Sequence, residues 1–134
     1  MKKNTGLWID HKEAVLVSIE GDQTVVQRVE SGAESHIKPS GGWKAGGTVV
    51  AQSVYNERTA DERRKHQYHA FYQKVIGLLG DSAGIALFGP GEAKIELAKE
   101  IEKVNDLRGK VEVVEICDRL TENQLIARVK KCFL

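Results

Sequence analysis

The sequence has few cysteines, little net charge and no long apolar run, and each shortage narrows the kind of protein it encodes. Only two of the 134 residues are cysteines, Cys117 and Cys132, and their separation fits no metal site, so we predict reduced thiols. The formal net charge of +1 excludes a globally basic coat for nucleic acid, so any electrostatic partner must meet a local patch. No window approaches membrane-spanning length, and no apolar signal region precedes the first predicted strand. We therefore expect a soluble, cytoplasmic protein without a membrane partner; the oligomeric state is left open.

What is present is ordinary globular composition, with 41% hydrophobic and 29% charged residues. This length supports one hydrophobic core, and we find neither an internal repeat nor a composition shift that would mark a second domain. We predict a single domain over residues 1–134 with a flexible glycine-rich loop at about 39–48.

Apolar runs bounded by turn residues predict five strands. The run Ala14–Ile19 is almost continuously apolar, which predicts burial on both faces of the sheet. Gly21-Asp22 predicts a tight turn to the next strand. The predicted strands are Leu7–Asp10, Ala14–Glu20, Gln23–Glu30, Gly84–Phe88 and Lys110–Cys117.

Capping signals and helical spacing predict three helices. Thr59-Ala60-Asp61-Glu62 matches a capping box, so the first helix should begin near Ala60 and run to about Leu79, whereas Thr48–Tyr55 fits either extended chain or a frayed helix start. A second helix is predicted over Glu92–Asn105, and another capping box, Thr121–Gln124, opens a third. The side chains expected to face the core are Phe71, Val75, Leu78 and Leu79 in the first helix, Ile95, Leu97, Ala98, Ile101 and Val104 in the second, and Leu125, Ile126, Val129 and Phe133 in the third.

The order of these elements predicts an α/β fold. Three antiparallel strands are followed by helix, strand, helix, strand and helix, and helices that link parallel strands cross over right-handed. The prediction is a ribonuclease H-like mixed five-stranded sheet with helices on its faces.

The segment Lys38–Lys74 combines a glycine loop with a basic helix. Gly41, Gly42, Gly46 and Gly47 make a packed element there unfavourable, and long loops in compact domains are usually functional or disordered. Cations in and after the loop would form a phosphate-binding patch, with Trp43 as a stacking surface. The alternative is a solvated helix face, because Glu57, Asp61 and Glu62 partly neutralise the cations. The candidate RNA-binding residues are Lys38, Trp43, Lys44, Arg58, Arg63, Arg64, Lys65 and Lys74.

Short motifs in this region carry a family resemblance. The runs Lys65-His66-Gln67-Tyr68 and Lys74-Val75, and the turn Phe88-Gly89-Pro90-Gly91 followed by Lys94, resemble the central domain of archaeo-eukaryotic peptide release factors and their Pelota relatives, most closely the small bacterial members. The resemblance implies binding to ribosomal RNA or tRNA, in translation or ribosome rescue.

The chain departs from the release-factor pattern at the catalytic loop. The family's Gly-Gly-Gln motif acts in peptidyl-tRNA hydrolysis, but here Gly46-Gly47 is followed by Thr48. Gln52 is the one catalytic candidate, and it follows Val50-Ala51, which lacks the glycine freedom needed for close approach to a substrate. Whether the chain is an enzyme stays open, and we expect no peptide release.

Two further functions remain as alternatives. Asp10 ends the first strand, where ribonuclease H-like nucleases hold a metal-binding carboxylate, but the strand Gly84–Phe88 ends in glycine and supplies no second acid. Asp10 is more readily explained as a hairpin-turn residue, and His66 and His69 have no further ligand at a recognisable spacing, so we assign no metal and no cofactor. The other alternative is a protein-interaction module whose glycine loop is only a connector.

Overall fold

A computed structural model of the chain describes residues 2–32 and 50–133, with side chains over 2–32 and 61–133. The predicted order of strands and helices is confirmed. The elements are β1 (Lys3–Ile9), β2 (Glu13–Glu20), β3 (Gln23–Glu30), α1 (Val50–Leu79), β4 (Gly84–Gly89), α2 (Ala93–Glu102), β5 (Val111–Ile116) and α3 (Glu122–Phe133).

The strands form one mixed sheet in the order β3-β2-β1-β4-β5, which confirms the predicted fold class. β1, β2 and β3 pair antiparallel as a meander, whereas β4 pairs parallel with both β1 and β5. The carboxyl ends of β1, β4 and β5 therefore lie at the same edge of the sheet. No helix among the described residues is both long and apolar enough to cross a membrane.

Each face of the sheet has its own core. One core packs side chains of α1 and α2, including Phe71 and Leu97, on Leu16 of the sheet, and the other packs Leu125 of α3 on Val17. All residues from Ala14 to Ile19 are buried, so the predicted burial of β2 on both faces is confirmed. Burying large aliphatic and aromatic side chains on both faces is the main stabilising contribution to such a sheet.

Helix α1 begins earlier than predicted. It starts at Val50 and continues through Thr59–Glu62, so the predicted start near Ala60 is wrong, and the helical interpretation of Val50–Tyr55 is correct. No glycine or proline interrupts residues 50–60, and adding residues to an existing helix costs less than starting a new one. A capping-box pattern inside such a run does not end the upstream helix.

The other two helices largely match their predictions. In α2 Leu97 and Ile101 are buried, but Ile95 is 39% exposed, so its predicted place in the core is wrong. The helix bears its buried residues on a narrow stripe, and Ile95 lies outside that stripe. The predicted capping box of α3 is confirmed, because the Gln124 backbone N–H donates to Thr121 Oγ1 at 3.1 Å while the Thr121 N–H donates to Gln124 Oε1 at 2.9 Å.

Candidate nucleic-acid interface

Helix α1 is longer than the sheet on which it packs. Its 30 residues span about 45 Å. Near its C-terminus, Lys3 Nζ donates to the Leu78 carbonyl at 3.3 Å, which places this end beside the start of β1. Tyr68 stacks on His11, just beyond the other end of β1, with ring centroids 4.6 Å apart. The part of α1 before Tyr68 therefore extends past the hairpin end of the sheet.

We call residues 61–67 the arm, because they are the part of this extension whose side chains the structure describes. No side chain of the arm belongs to either core, and among the residues of α1 with described side chains the contribution to the core begins at Tyr68. Five of the six residues from 61 to 66 are exposed, and Arg64 is half-buried. The arm is therefore open to a partner around most of its circumference.

The predicted basic residues of the arm differ in their surroundings. Arg64 pairs with Asp61 one turn away and is 28% exposed. Arg63 and Lys65 are exposed, and neither forms an ion pair with another residue of the described ranges. Lys74, also exposed, lies about three turns beyond Arg63, which places both on one side of the helix. Arg64 and Lys65 point in other directions, so the cations surround the arm and form no single flat patch.

The structure does not describe the side chains of the other candidate RNA-binding, loop and catalytic residues. Lys38, Trp43 and Lys44 lie outside the described residues, as do Gly41, Gly42, Gly46 and Gly47 of the predicted loop. Gln52 and Arg58 lie in α1, within the part described as backbone only. Their roles stay predictions.

A row of polar contacts, which we call the seam, joins α1 to α2 beside the root of the arm. The Tyr72 hydroxyl donates to Glu96 Oε1 at 2.5 Å, and His11 Nε2 lies 3.1 Å from the same oxygen. One turn away on each helix, His69 Nδ1 lies 3.3 Å from Glu100 Oε1. Burial, reinforced by the hydrogen bond to Glu96, raises the pKa of Tyr72 well above its ordinary value. The seam thus fixes the direction in which the arm leaves the domain.

Sequence reasoning did not find the seam, although a signal was there. His69 and Tyr72 stand three apart on α1, and Glu96 and Glu100 stand four apart on α2, so each pair marks one polar stripe of its helix. That the two stripes face each other depends on how the helices pack, which the spacing within one helix does not reveal.

A second charged cluster lies on the opposite face of the sheet. Glu13 accepts from Arg119 at 2.5 Å and from Arg28 at 3.5 Å, and the Arg119 guanidinium lies 4.7 Å from the centre of the Trp8 ring. Arg28 also lies 3.5 Å from Glu122, and the cavity beside these residues holds only about 20 Å³. That volume accommodates about one water molecule, so the cluster ties strands together and offers no ligand pocket.

Asp10 has the geometry of a turn residue. Its Oδ1 accepts from the backbone N–H groups of Lys12 at 2.8 Å and Glu13 at 2.9 Å, which closes the connection between β1 and β2. The described parts of the chain contain no group of three His, Cys, Asp or Glu side chains placed to hold a metal ion. Among the described residues, Asp10 therefore lacks the partner acids that the nuclease alternative requires.

Comparison with known proteins identifies the fold and no family. No protein-family model matches the chain, and no curated protein matches it. Three archaeal structures share its fold: a translation termination factor (14% identity, TM-score 0.57), Pelota of Archaeoglobus fulgidus (12%, 0.56) and Pelota of Thermoplasma acidophilum (17%, 0.53). These matches cover 96%, 98% and 91% of this chain, but only 34%, 31% and 30% of the respective structures.

The chain therefore spans about a third of the length of these three proteins and has the fold of one of their domains. This agrees with the resemblance found in the sequence at the level of the domain fold.

Proposed function

We propose that the arm of α1 binds the phosphate backbone of ribosomal RNA or tRNA, in translation or ribosome rescue. The observation that carries the proposal is the arm itself: a helix that leaves the domain with Arg63 and Lys65 exposed and without an ion-pair partner in the described chain. The structures that share the fold include a translation termination factor and Pelota proteins, which supports a ribosomal setting.

The charges of the arm suit contact with a polyanion. Residues 61–66 hold three cations and two carboxylates, so their net charge is small, but the cations occupy separate sides of an exposed helix. A helix of this kind inserted between RNA segments can contact phosphates on more than one side. Contacts of this type position a protein without reading sequence, so we expect salt-dependent binding with little preference for base sequence.

The proposal is one of binding, without hydrolysis of peptidyl-tRNA. The glycine pair Gly46-Gly47 and the glutamine Gln52 are separated in the chain, and Gln52 belongs to helix α1. Release chemistry in the similar family requires a flexible glycine pair and a glutamine that act at one point. In this chain the two are not adjacent.

The test is co-sedimentation with ribosomes, and binding to tRNA, over a series of salt concentrations. One variant, called the arm variant, carries Arg63→Gln and Lys65→Gln in the arm and Lys74→Gln on the same side of α1 as Arg63. The control carries Lys99→Gln, Lys130→Gln and Lys131→Gln, which removes the same charge from exposed positions on other helices.

If the arm contacts phosphates, the arm variant loses affinity and the slope of log affinity against log salt falls by roughly two to three, about 0.7–0.9 per lost contact. The control keeps most of the slope. Both variants should unfold within about 0.5 kcal/mol of the parent protein, since all six positions are exposed. Equal losses in the two variants would show that the arm is not the binding element.

A further inference from the structure

The edge strand β5 exposes apolar side chains that the proposed RNA contact does not use. Ile116 is 79% exposed and Val114 is 42% exposed, although both lie in a strand. β5 pairs with β4 on one side and ends the sheet on the other, where no strand of the described chain covers it. The outward backbone groups of such an edge are available to pair with another chain.

Both side chains lie on the face of the sheet that α2 covers. In the β4–β5 register Val114 is beside Leu87, a residue of the core under α2, and neighbours across a ladder point to the same face. Ile116 is beside Gly89, which has no side chain to cover it. Ile95, 39% exposed, lies in the first turn of α2 on this same side. Three exposed large apolar side chains thus lie on the α2 side of the sheet, two of them on its edge strand.

The other face of β5 is acidic. Glu115 is beside Phe88 of the core under α3 and lies 3.5 Å from Arg128 of that helix. The carboxylate of Glu112 lies close to Gly84 and the Phe133 ring, also on the α3 side, because the β4–β5 register shifts between Ile85 and Ala86 and breaks the alternation of β5 before Val113. An added strand would therefore meet apolar side chains on one face and carboxylates on the other.

These carboxylates disfavour a second copy as the added strand. Residues directly opposite each other across a ladder share a face, so an antiparallel pair of β5 strands centred on Glu115 places the two Glu115 carboxylates opposite each other. Like charges directly opposite each other destabilise a strand pair. The same arrangement attracts a strand whose side chains alternate between apolar and basic residues.

We propose that the edge of β5 binds an extended segment of a partner protein as a sixth strand, and that the segment alternates apolar with lysine or arginine side chains. Main-chain hydrogen bonds along β5 supply affinity for any extended chain. The apolar side chains pack on Val114 and Ile116, and the basic side chains face Glu112 and Glu115, which supplies specificity.

The test uses two synthetic peptides of equal length, one alternating lysine with isoleucine and valine, the other with glutamate in place of each lysine. Binding is followed by amide chemical-shift changes of the labelled protein. The informative variant is Ile116→Lys, and the control is Val25→Lys, which adds the same charge at a 50% exposed position on the opposite edge strand.

The lysine peptide should bind with shift changes centred on Val111–Ile116, and the glutamate peptide should bind much more weakly. Ile116→Lys should lower the affinity about tenfold or more, the factor that burial of one large aliphatic side chain contributes, while Val25→Lys should not. The proposal is wrong if both peptides bind equally, if the shifts lie elsewhere, or if sedimentation shows that β5 instead joins two copies of this chain. These residues are separate from the arm, so the outcome is independent of ribosome binding.

Discussion

The turn Gly89-Pro90-Gly91 offers a sharp test of what holds the centre of the sheet, because its two glycines have opposite surroundings. A Cβ added at Gly89 would lie 2.2 Å from the Ile9 carbonyl oxygen, a backbone atom of the neighbouring strand β1. A Cβ added at Gly91 would have no atom within 4 Å, and Gly91 does not have a positive φ. Gly89→Ala and Gly91→Ala are therefore matched substitutions with opposite expectations.

The magnitude for Gly89→Ala follows from what would have to move. Ile9 is fully buried and pairs with Ala14 in the β1–β2 ladder, so its carbonyl can retreat only if the end of β1 leaves its place in the core. Overpacking a core usually costs about 1–3 kcal/mol, and a clash with backbone belongs at the upper end, so we expect about 3 kcal/mol. Gly91→Ala should range from no change to a stabilisation of about 0.4–1 kcal/mol, because alanine restricts the unfolded chain.

Urea unfolding followed by circular dichroism measures both values. With a slope of about 2 kcal/mol/M, Gly89→Ala should lower the midpoint by about 1.5 M, and the thermal midpoint by roughly 10–15 °C. The midpoint of Gly91→Ala should equal or exceed that of the parent protein. An unchanged midpoint for Gly89→Ala would refute the close approach of β4 to β1, and equal losses in both variants would mean that the turn needs its glycines for another reason.

Two further predictions concern the seam and the hydrolysis question. Tyr72→Phe removes a hydrogen bond to Glu96 while His11 still contacts that carboxylate, so it should lower the free energy of unfolding by about 1–2 kcal/mol. Since the pKa of Tyr72 is raised on folding, the unfolded chain loses this proton first; the difference between parent and variant should be complete below about pH 10 and shrink above it, and a difference independent of pH would contradict this. On programmed ribosomes the protein should release no peptide from peptidyl-tRNA, and Gln52→Ala should leave ribosome binding unchanged; release that Gln52→Ala abolishes would show a hydrolase.

Local sequence patterns were enough to predict the elements whose signals agree with one another. The continuous apolar run Ala14–Ile19 predicted a strand buried on both faces, because a central strand of a covered sheet has no polar side. The box Thr121–Gln124 predicted the start of α3, because both of its hydrogen bonds form within four residues. The same local logic failed at Thr59–Glu62, where an upstream helix was already present.

For the candidate site, the sequence predicted that the basic residues lie on a helix. It did not predict the direction in which they extend from the domain. Arg63, Lys65 and Lys74 are exposed, as expected for charged side chains. The direction in which these side chains extend from the domain depends on where α1 stops packing on the sheet. That point is set by the stacking of Tyr68 on His11 and by the seam.

The sequence by itself determined the order of elements and hence the sheet, because hydrophobic periodicity and local capping act over a few neighbouring residues. Only the tertiary structure decided that Glu96 of α2 serves both Tyr72 of α1 and His11 after β1, and that Ile116 remains exposed beside Gly89. These contacts join residues far apart in the chain. Their formation depends on the relative placement of whole helices and strands, which no pattern within one element encodes.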